Sequence, residues 1–181
     1  DMDVFAGWAS AVAFVDFADG VMGGWTGGQV MDMGGQLGEL LVLGPGQTTG
    51  FTLDVPENAA EATMTFELVA GDSIDNSARW GVDTATVRIN GVDVAIATST
   101  HGRDMTFDIP QADGTTVEAT VTVAPGHLGG RDRWQDSVAQ VTVTVDQPSG
   151  PIDLQVHSNA NQGINDEFWG VDNFDATVTP G

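Results

Sequence analysis

The sequence predicts an all-β protein built as an antiparallel sandwich of two sheets. Helical periodicity is nearly absent, and short runs of alternating apolar and polar residues are separated by Gly, Pro, Asn and Asp. In residues 116–123 and 138–145, Val and Ala alternate with Thr, Gln and Glu, which is typical of strands with one face in a core. The Asn90-Gly91 pair predicts a tight hairpin, because both residues tolerate positive φ.

The pattern places about eleven strands in one domain. A chain of 181 residues suits a single β-sandwich, so we expect one domain over residues 1–181, with residues 1–10 as an N-terminal extension or an extra strand. The predicted strands are residues 11–17, 37–43, 50–55, 62–69, 83–90, 92–98, 105–109, 115–123, 137–145, 152–157 and 171–178.

The charge of the chain restricts its partners. Formal net charge is −21, with 26 acidic residues that are mostly Asp and five basic residues that are all Arg. Nucleic acids and anionic membranes require a basic surface, so both are excluded, and no apolar run is long enough for membrane insertion. Without cysteine, metal sites are left with oxygen ligands and hard cations such as Ca²⁺. A solvated acidic surface is the alternative explanation for most of the Asp.

Acidic residues recur beside a Trp, at the start of a predicted strand, in three segments. The segments are residues 71–83, 132–136 and 165–173. Like charges held close together repel unless a cation lies between them, and Ca²⁺ takes six to eight oxygen ligands. The alternative is a set of exposed turns whose Asp and Asn side chains bond to the local backbone. The metal ligands predicted from the first and last segments are Asp72, Asp75, Asp83, Asp166, Glu167, Asp172 and Asn173.

The last acidic segment carries a family resemblance. Residues 166–174, Asp-Glu-Phe-Trp-Gly-Val-Asp-Asn-Phe, resemble the D-E-x-W-G-[IV]-D-N-[VF] signature of jelly-roll domains in bacterial secreted and surface proteins, often beside haemolysin-type calcium repeats. Residues 24–28 resemble that family's G-W-[ST]-G-G and residues 37–41 its L-G-x-F-L. Residues 72–75 resemble D-S-W-D with Ile74 for Trp, and residues 87–91 resemble V-Y-[VI]-N-G with Arg88 for Tyr. The resemblance spans residues 14–178 and implies a calcium-bearing, antiparallel two-sheet jelly-roll β-sandwich that is secreted or at the cell surface.

A wider likeness is to carbohydrate-binding modules of the jelly-roll type. Residues 16–20 with Trp25 are similar to their opening N-x-D-F-E-x-G…W segment, and residues 172–174 to their closing D-[ND]-[VI] run. In those modules the two ends lie side by side and share a structural Ca²⁺. The likeness implies that Asp16, Asp19 and Asp172 are ligands, although Ala18 stands where the modules have Glu. The alternative is a pair of terminal strands with exposed Asp.

Four of the five Trp residues are candidate ligand-binding residues. Exposed indoles stack on sugar faces, but a Trp in a Gly- and Asp-rich loop more often closes the end of a sandwich. Trp134, which lies between Arg133 and Asp136 on a long loop, is the best candidate for an exposed indole. The candidates are Trp134, Trp25, Trp80 and Trp169.

Motifs for catalysis are missing. His101, His127 and His157 are far apart, and no G-x-S-x-G motif marks a Ser nucleophile. A glycosidase needs only two facing carboxylates, but Glu is scarce, and Glu39 and Glu67 lie in no recognisable motif. We therefore predict that the protein is not an enzyme.

These observations predict a non-catalytic extracellular calcium-binding module for carbohydrate binding or adhesion, with a polysaccharide or cell-surface glycan as partner. The alternative is a structural subunit of an extracellular or surface assembly, such as a filament, layer or particle, with other protein subunits as partners. The apolar residues 2–8 motivate it, because such an extension can add a strand to a neighbour's sheet edge or form the chain's own first strand. No signal peptide is recognisable, so we expect a mature or excised form.

Overall fold

The computed structural model of the protein describes residues 9–100, 105, 109–130 and 134–181. Within these residues, the regular elements are β-strands, apart from one 3-10 turn at Ala18–Gly20. In chain order the strands are β1 Ser10–Val15, β2 Gln29–Asp32, β3 Glu39–Leu43, β4 Thr48–Leu53, β5 Ala59–Asp72, β6 Asn76–Ser77, β7 Gly81–Val82, β8 Thr84–Ile89, β9 Val92–Ala97, β10 Thr115–Gly126, β11 Asp136–Asp146, β12 Ile152–Ser158 and β13 Glu167–Pro180.

The strands form two main antiparallel sheets. Sheet A has the order β10-β11-β5-β13-β3-β2, and β1 pairs with the second half of β13, beyond β3. Sheet B has the order β4-β12-β8-β9. β6 and β7 form a separate hairpin. The predicted antiparallel two-sheet jelly-roll sandwich is confirmed.

The predicted hairpin at Asn90-Gly91 joins β8 to β9, and both residues have positive φ, 48° and 83°. β5 and β13 are longer than predicted, because the acidic residues Asp72 and Glu167 lie in the strands and face each other across the sheet. The prediction of an acidic loop over residues 166–172 is therefore wrong for residues 167–172. Most of the predicted strand at residues 105–109 and the apolar residues 2–8 lie outside the described residues.

The main core lies between the two sheets. Alternate side chains of β5, β11, β12 and β13 point into it, as their period-two pattern requires. An aromatic group with Trp25 at its centre packs against this core. The Trp25 ring centroid lies 6.0 Å from that of Phe17, 5.8 Å from that of Phe51 and 5.1 Å from that of Phe174.

A second apolar cluster lies on the outer face of sheet A, away from sheet B. Two loops cover it, residues 33–38 after β2 and residues 127–130 after β10. We call them the outer loops. They are joined by hydrogen bonds from the Gln36 amide to the Leu128 carbonyl (2.6 Å) and from the Gly130 amide to the Met33 carbonyl (2.6 Å). A side chain at Gly35 would lie 2.3 Å from the Leu128 carbonyl oxygen, so this contact requires glycine.

The described part of the chain contains no helix with the length and apolar character needed to span a lipid bilayer.

Candidate metal centre

Three carboxylates meet at one end of the sandwich. Asp75 precedes β6, Asp83 lies between β7 and β8, and Glu167 begins β13. One oxygen from each lies within 4.8 Å of the others, and Asp83 and Glu167 are fully buried. We call this group the carboxylate centre. Within the described residues, it is the one group of three or more potential metal ligands this close together.

Backbone amides hold the carboxylate centre in place. Asp83 Oδ2 accepts a hydrogen bond from the Asp75 amide (2.9 Å), and Asp83 Oδ1 accepts one from the Asn161 amide (3.1 Å). Glu167 Oε2 accepts from the amides of Asn161 (3.1 Å) and Gln162 (3.0 Å), and Glu167 Oε1 accepts from Gln162 Nε2 (2.9 Å). Glu167 Oε2 uses both of its lone pairs in this way, whereas Asp83 Oδ1, Asp83 Oδ2 and Glu167 Oε1 each accept one of these bonds and keep a lone pair for a cation.

The electrostatics of the centre favour a positive ion. Burial raises the pKa of Asp83, and the charge of Asp75 raises it further, while amide hydrogen bonds from Asp75 and Asn161 lower it. Burial likewise raises the pKa of Glu167, and the Asp83 charge adds to that shift. The ionised forms are therefore costly here unless a proton or a cation compensates them. The donor set consists of carboxylate oxygens without imidazole or thiolate, which suits a hard cation such as Ca²⁺.

The segment between Asp75 and Asp83 is a small hairpin that carries an exposed indole. Trp80 lies in the turn between β6 and β7 and is 61% exposed. The guanidinium carbon of Arg79 lies 4.6 Å from the centroid of its ring, and the Trp80 amide donates to Ser77 Oγ (3.3 Å). We call residues 76–82 the Trp80 hairpin. Its two ends are joined at the carboxylate centre.

The turn that binds the carboxylates also supports this hairpin. Gly81 has a φ of +106°, and a side chain there would lie 2.7 Å from Nδ2 of Asn161. The amide of Asn161 is the donor shared by Asp83 and Glu167. The hairpin, the 161–162 turn and the start of β13 therefore pack as one unit around the centre.

A neighbouring buried acid binds only backbone amides in the contacts described. Asp136 accepts hydrogen bonds from the amides of Asp72 (2.8 Å), Leu128 (3.1 Å) and Gly129 (3.1 Å), and burial raises its pKa. It joins the end of β5 to an outer loop and to the start of β11. Asp136 was not among the predicted ligands, and its position in the third acidic segment was the only feature of the sequence that pointed to it.

The other predicted ligands of the two main acidic segments are not members of the carboxylate centre. Asp72 is buried at the end of β5, where it pairs with Glu167 across the ladder. Asp166 is exposed, and its carbonyl accepts hydrogen bonds from the amide and the hydroxyl of Ser73 (3.0 and 2.7 Å). Neither belongs to the compact group of three.

The chain ends lie side by side, since Val15 of β1 pairs with Phe174 of β13. The ligands predicted there are not gathered into a compact group among the described residues. Asp16 Oδ1 accepts a hydrogen bond from the Ala18 amide (3.2 Å), and the Asp19 amide donates to Glu39 Oε2 (2.7 Å).

Asp172 and Asn173 lie on the outer face of sheet A instead. Burial raises the pKa of Asp172 to about 6; the Asn173 amide lowers it, while the charges of Glu67 and Asp16 raise it. The Asn173 side chain donates to Glu67 Oε2 (2.9 Å). These residues line a pocket that is described below.

The candidate Trp residues divide into two pairs. Trp80 and Trp134 are 61% and 42% exposed, whereas Trp25 and Trp169 are 3% and 0% exposed. Trp25 and Trp169 are core side chains, so neither offers a face for stacking on a ligand. Their assignment as ligand-binding residues is corrected for that reason.

No protein-family model and no curated protein matches this sequence. Among solved structures, the chain is similar to "CBM35 from Cellvibrio japonicus Abf62", with 13% identity and a TM-score of 0.45 over 95% of this chain and 98% of that one. It is also similar to TmCBM61, solved in complex with β-1,4-galactotriose, with 10% identity and a TM-score of 0.43 over 89% and 92% of the two chains. At these identities and TM-scores, neither likeness bears on the ligand of this chain.

The raised pKa values predict an unusual pH dependence in the absence of metal. The carboxyls of Asp83, Asp136, Glu167 and Asp172 bind protons more readily in the folded chain, so their contribution to stability is present below the unfolded pKa and is lost as pH rises through the folded pKa. For Asp172 this window runs from 3.8 to about 6. In EDTA at constant ionic strength, we expect a smaller free energy of unfolding at about pH 7.5 than at about pH 5, measured by urea denaturation.

Asp172→Asn should flatten the dependence within its window, whereas Asp146→Asn, at an exposed position at the end of β11, should not. A free energy of unfolding that rises with pH over this range in EDTA would contradict the electrostatic account.

Proposed function

We propose that the protein is a non-catalytic, extracellular calcium-binding module that binds a polysaccharide through its Trp80 hairpin. One observation carries the proposal. Asp75 and Asp83 enclose the hairpin, and their carboxylates meet Glu167 at the start of a central strand of sheet A. A cation at this centre would fix a loop that presents an indole to solvent.

Asp75, Asp83 and Glu167 are the residues that would hold Ca²⁺. The ion supplies positive charge where two fully buried acids and one half-buried acid meet, so it favours the ionised form of all three. Extracellular modules bind Ca²⁺ with dissociation constants of about 0.1–1 mM, well above cytosolic concentrations. A centre of this kind supports an extracellular location, where calcium is abundant.

Trp80 supports the glycan as partner. With 61% of the residue exposed and Arg79 over its ring, the indole keeps an open surface for the apolar C–H face of a sugar. Trp134, which is 42% exposed, is a second candidate contact. Catalysis by the carboxylate centre is disfavoured, because Asp83 and Glu167 are fully buried and cannot reach a glycosidic oxygen.

Calcium should stabilise the folded protein. At about 10 mM Ca²⁺, roughly 10 to 100 times the expected dissociation constant, linkage gives about 1.4–2.7 kcal/mol. For a domain of this size that corresponds to a rise in Tm of about 3–10 °C over the protein in EDTA. Differential scanning calorimetry at matched ionic strength measures the shift and separates it from screening of the net charge.

Asp75→Asn removes one ligand at a half-buried position and should abolish most of this shift. Asp166→Asn makes the same charge change at an exposed position in the neighbouring turn and should leave it intact. An unchanged Tm with calcium, or equal shifts in the two variants, would exclude a metal at the carboxylate centre.

Glycan binding should depend on Trp80. We expect screening of the calcium-loaded protein against polysaccharides to identify a ligand, and Trp80→Ala to weaken its binding about tenfold, or about 1.4 kcal/mol, in isothermal titration calorimetry. Trp134→Ala tests the second candidate contact in the same titration and shows whether that indole also contributes. If no polysaccharide binds, or if Trp80→Ala binds as tightly as the unaltered chain, the carbohydrate assignment fails.

A structural subunit of an extracellular assembly is the second candidate, and one observation favours it. Among the described strands, β1 pairs only with β13, and it exposes Phe14 (66%) and Val12 (49%) at that edge of sheet A. Such an edge can accept a strand from another subunit. Light scattering in calcium should then show oligomers that Phe14→Asp disperses. A stable monomer at all concentrations would eliminate this candidate.

A further inference from the structure

A pocket on the outer face of sheet A lies apart from the Trp80 hairpin. Its volume is about 260 Å³. Its apolar part is formed by side chains of sheet A and of the outer loops, namely Val69, Val123, Val138, Leu37 and Leu128. Its polar part is formed by Gln36, Glu67, Asp172 and Asn173. The volume is below the ~300–1,000 Å³ of pockets for drug-sized ligands, and so it suits one small group.

The sheet register brings two acids together in this pocket. Glu67 of β5 and Asp172 of β13 are direct partners in the ladder, so their side chains emerge on the same face. The register then shifts between Asp172 and Asp175, and Asn173 has a φ of +46°. This irregularity places Asn173 beside both acids: its amide donates to Asp172 Oδ1 (2.8 Å) and its side chain to Glu67 Oε2 (2.9 Å).

The rim of the pocket is held in place by the outer loops. Leu128 accepts hydrogen bonds from the amides of Gln36 (2.6 Å) and Leu37 (3.2 Å), and a side chain at Gly129 would lie 2.5 Å from the Gly34 carbonyl oxygen. The two loops therefore approach each other at backbone distance. A pocket with such a rim is formed before a ligand arrives, which lowers the entropic cost of binding.

The residues that line the pocket favour a positively charged ligand. Two carboxylates face the pocket, and among the described residues no basic side chain lines it. Direct like-charge partners in a ladder destabilise the sheet, so a cation between Glu67 and Asp172 would be favourable. A bare metal ion is a poor occupant, because five apolar side chains line the space and these acids do not belong to a compact group of three ligands. The lining fits an organic ammonium group on a small body with one apolar face.

We propose that this pocket binds the protonated amino group of an amino sugar, with Glu67 and Asp172 around the ammonium group and the apolar face of the ring against Val69 and Val138. The choice of a sugar as carrier rests on the proposed function. The ammonium selectivity follows from the pocket alone. Binding here is independent of Trp80, so the pocket can be tested whether or not a polysaccharide binds to the hairpin.

The test is isothermal titration calorimetry of the full chain with glucosamine, glucose, N-acetylglucosamine and cyclohexylamine at neutral pH and constant salt. We expect glucosamine to bind at least tenfold more tightly than glucose or N-acetylglucosamine, which have the ring without the charge. Glucose binding as tightly as glucosamine would overturn the proposal. Binding of cyclohexylamine without binding of glucosamine would overturn the amino sugar and leave the ammonium site.

Two variants and one control locate the site. Glu67→Gln keeps the shape of the side chain and its capacity to accept the Asn173 hydrogen bond, and should weaken glucosamine binding at least tenfold. Gln36→Lys, which places a positive charge at the exposed rim, should weaken it similarly. Glu118→Gln removes the same charge from an exposed position on β10 and should have no effect. Equal affinities in Glu67→Gln and Glu118→Gln would show attraction to the overall net charge and overturn the proposal.

Discussion

Carboxylates that are removed from water must be compensated by hydrogen-bond donors, by a proton or by a cation. The buried acids of the described chain, Asp72, Asp83, Asp136 and Glu167, are at most 1% exposed, and all four lie at the same end of the sandwich. The compensation differs within this group. Asp136 receives three backbone amides, whereas Asp83 and Glu167 receive amides but also face each other and Asp75. A cation held between Asp75, Asp83 and Glu167 would therefore compensate three carboxylate charges at once.

The geometry of sheet A produces this arrangement. β5 and β13 are its longest strands, and their pairing continues to the rung that joins Asp72 to Glu167. The chain leaves β5 through Asp75 and the Trp80 hairpin and enters sheet B through Asp83. The connection between the sheets thus passes over the end of β13. A cation held there would couple the order of an exposed loop to the stability of the core.

The fold and part of the candidate site could be predicted from the sequence. Period-two alternation and the Asn90-Gly91 turn are local signals, and both held in the structure. The recurrence of acids beside a Trp marked the segments that meet, but it assigned Asp75 and Asp83 to one site and Glu167 to another. Their convergence depends on the pairing of β5 with β13, a contact between distant segments that no local pattern encodes.

The solvent exposure of the Trp side chains was also not determined by local sequence patterns. Trp169 follows acidic residues just as Trp80 does, yet Trp169 lies on the inner face of a central strand and Trp80 in a hairpin turn. Ile74 and Arg88 differ from the jelly-roll motifs that their segments resemble, and the structure explains both residues. Ile74 is fully buried in the main core. Arg88 donates hydrogen bonds to Asp93 and Gln155 on the outer face of sheet B.

A crystal structure of the protein grown in about 10 mM CaCl₂, with anomalous diffraction data collected at long wavelength, tests the central claim most directly. The account predicts an anomalous peak at the carboxylate centre, coordinated by at least one oxygen each of Asp75, Asp83 and Glu167. Peaks elsewhere with none at this centre, or three carboxylates that remain bonded only to protein groups in saturating calcium, would contradict it.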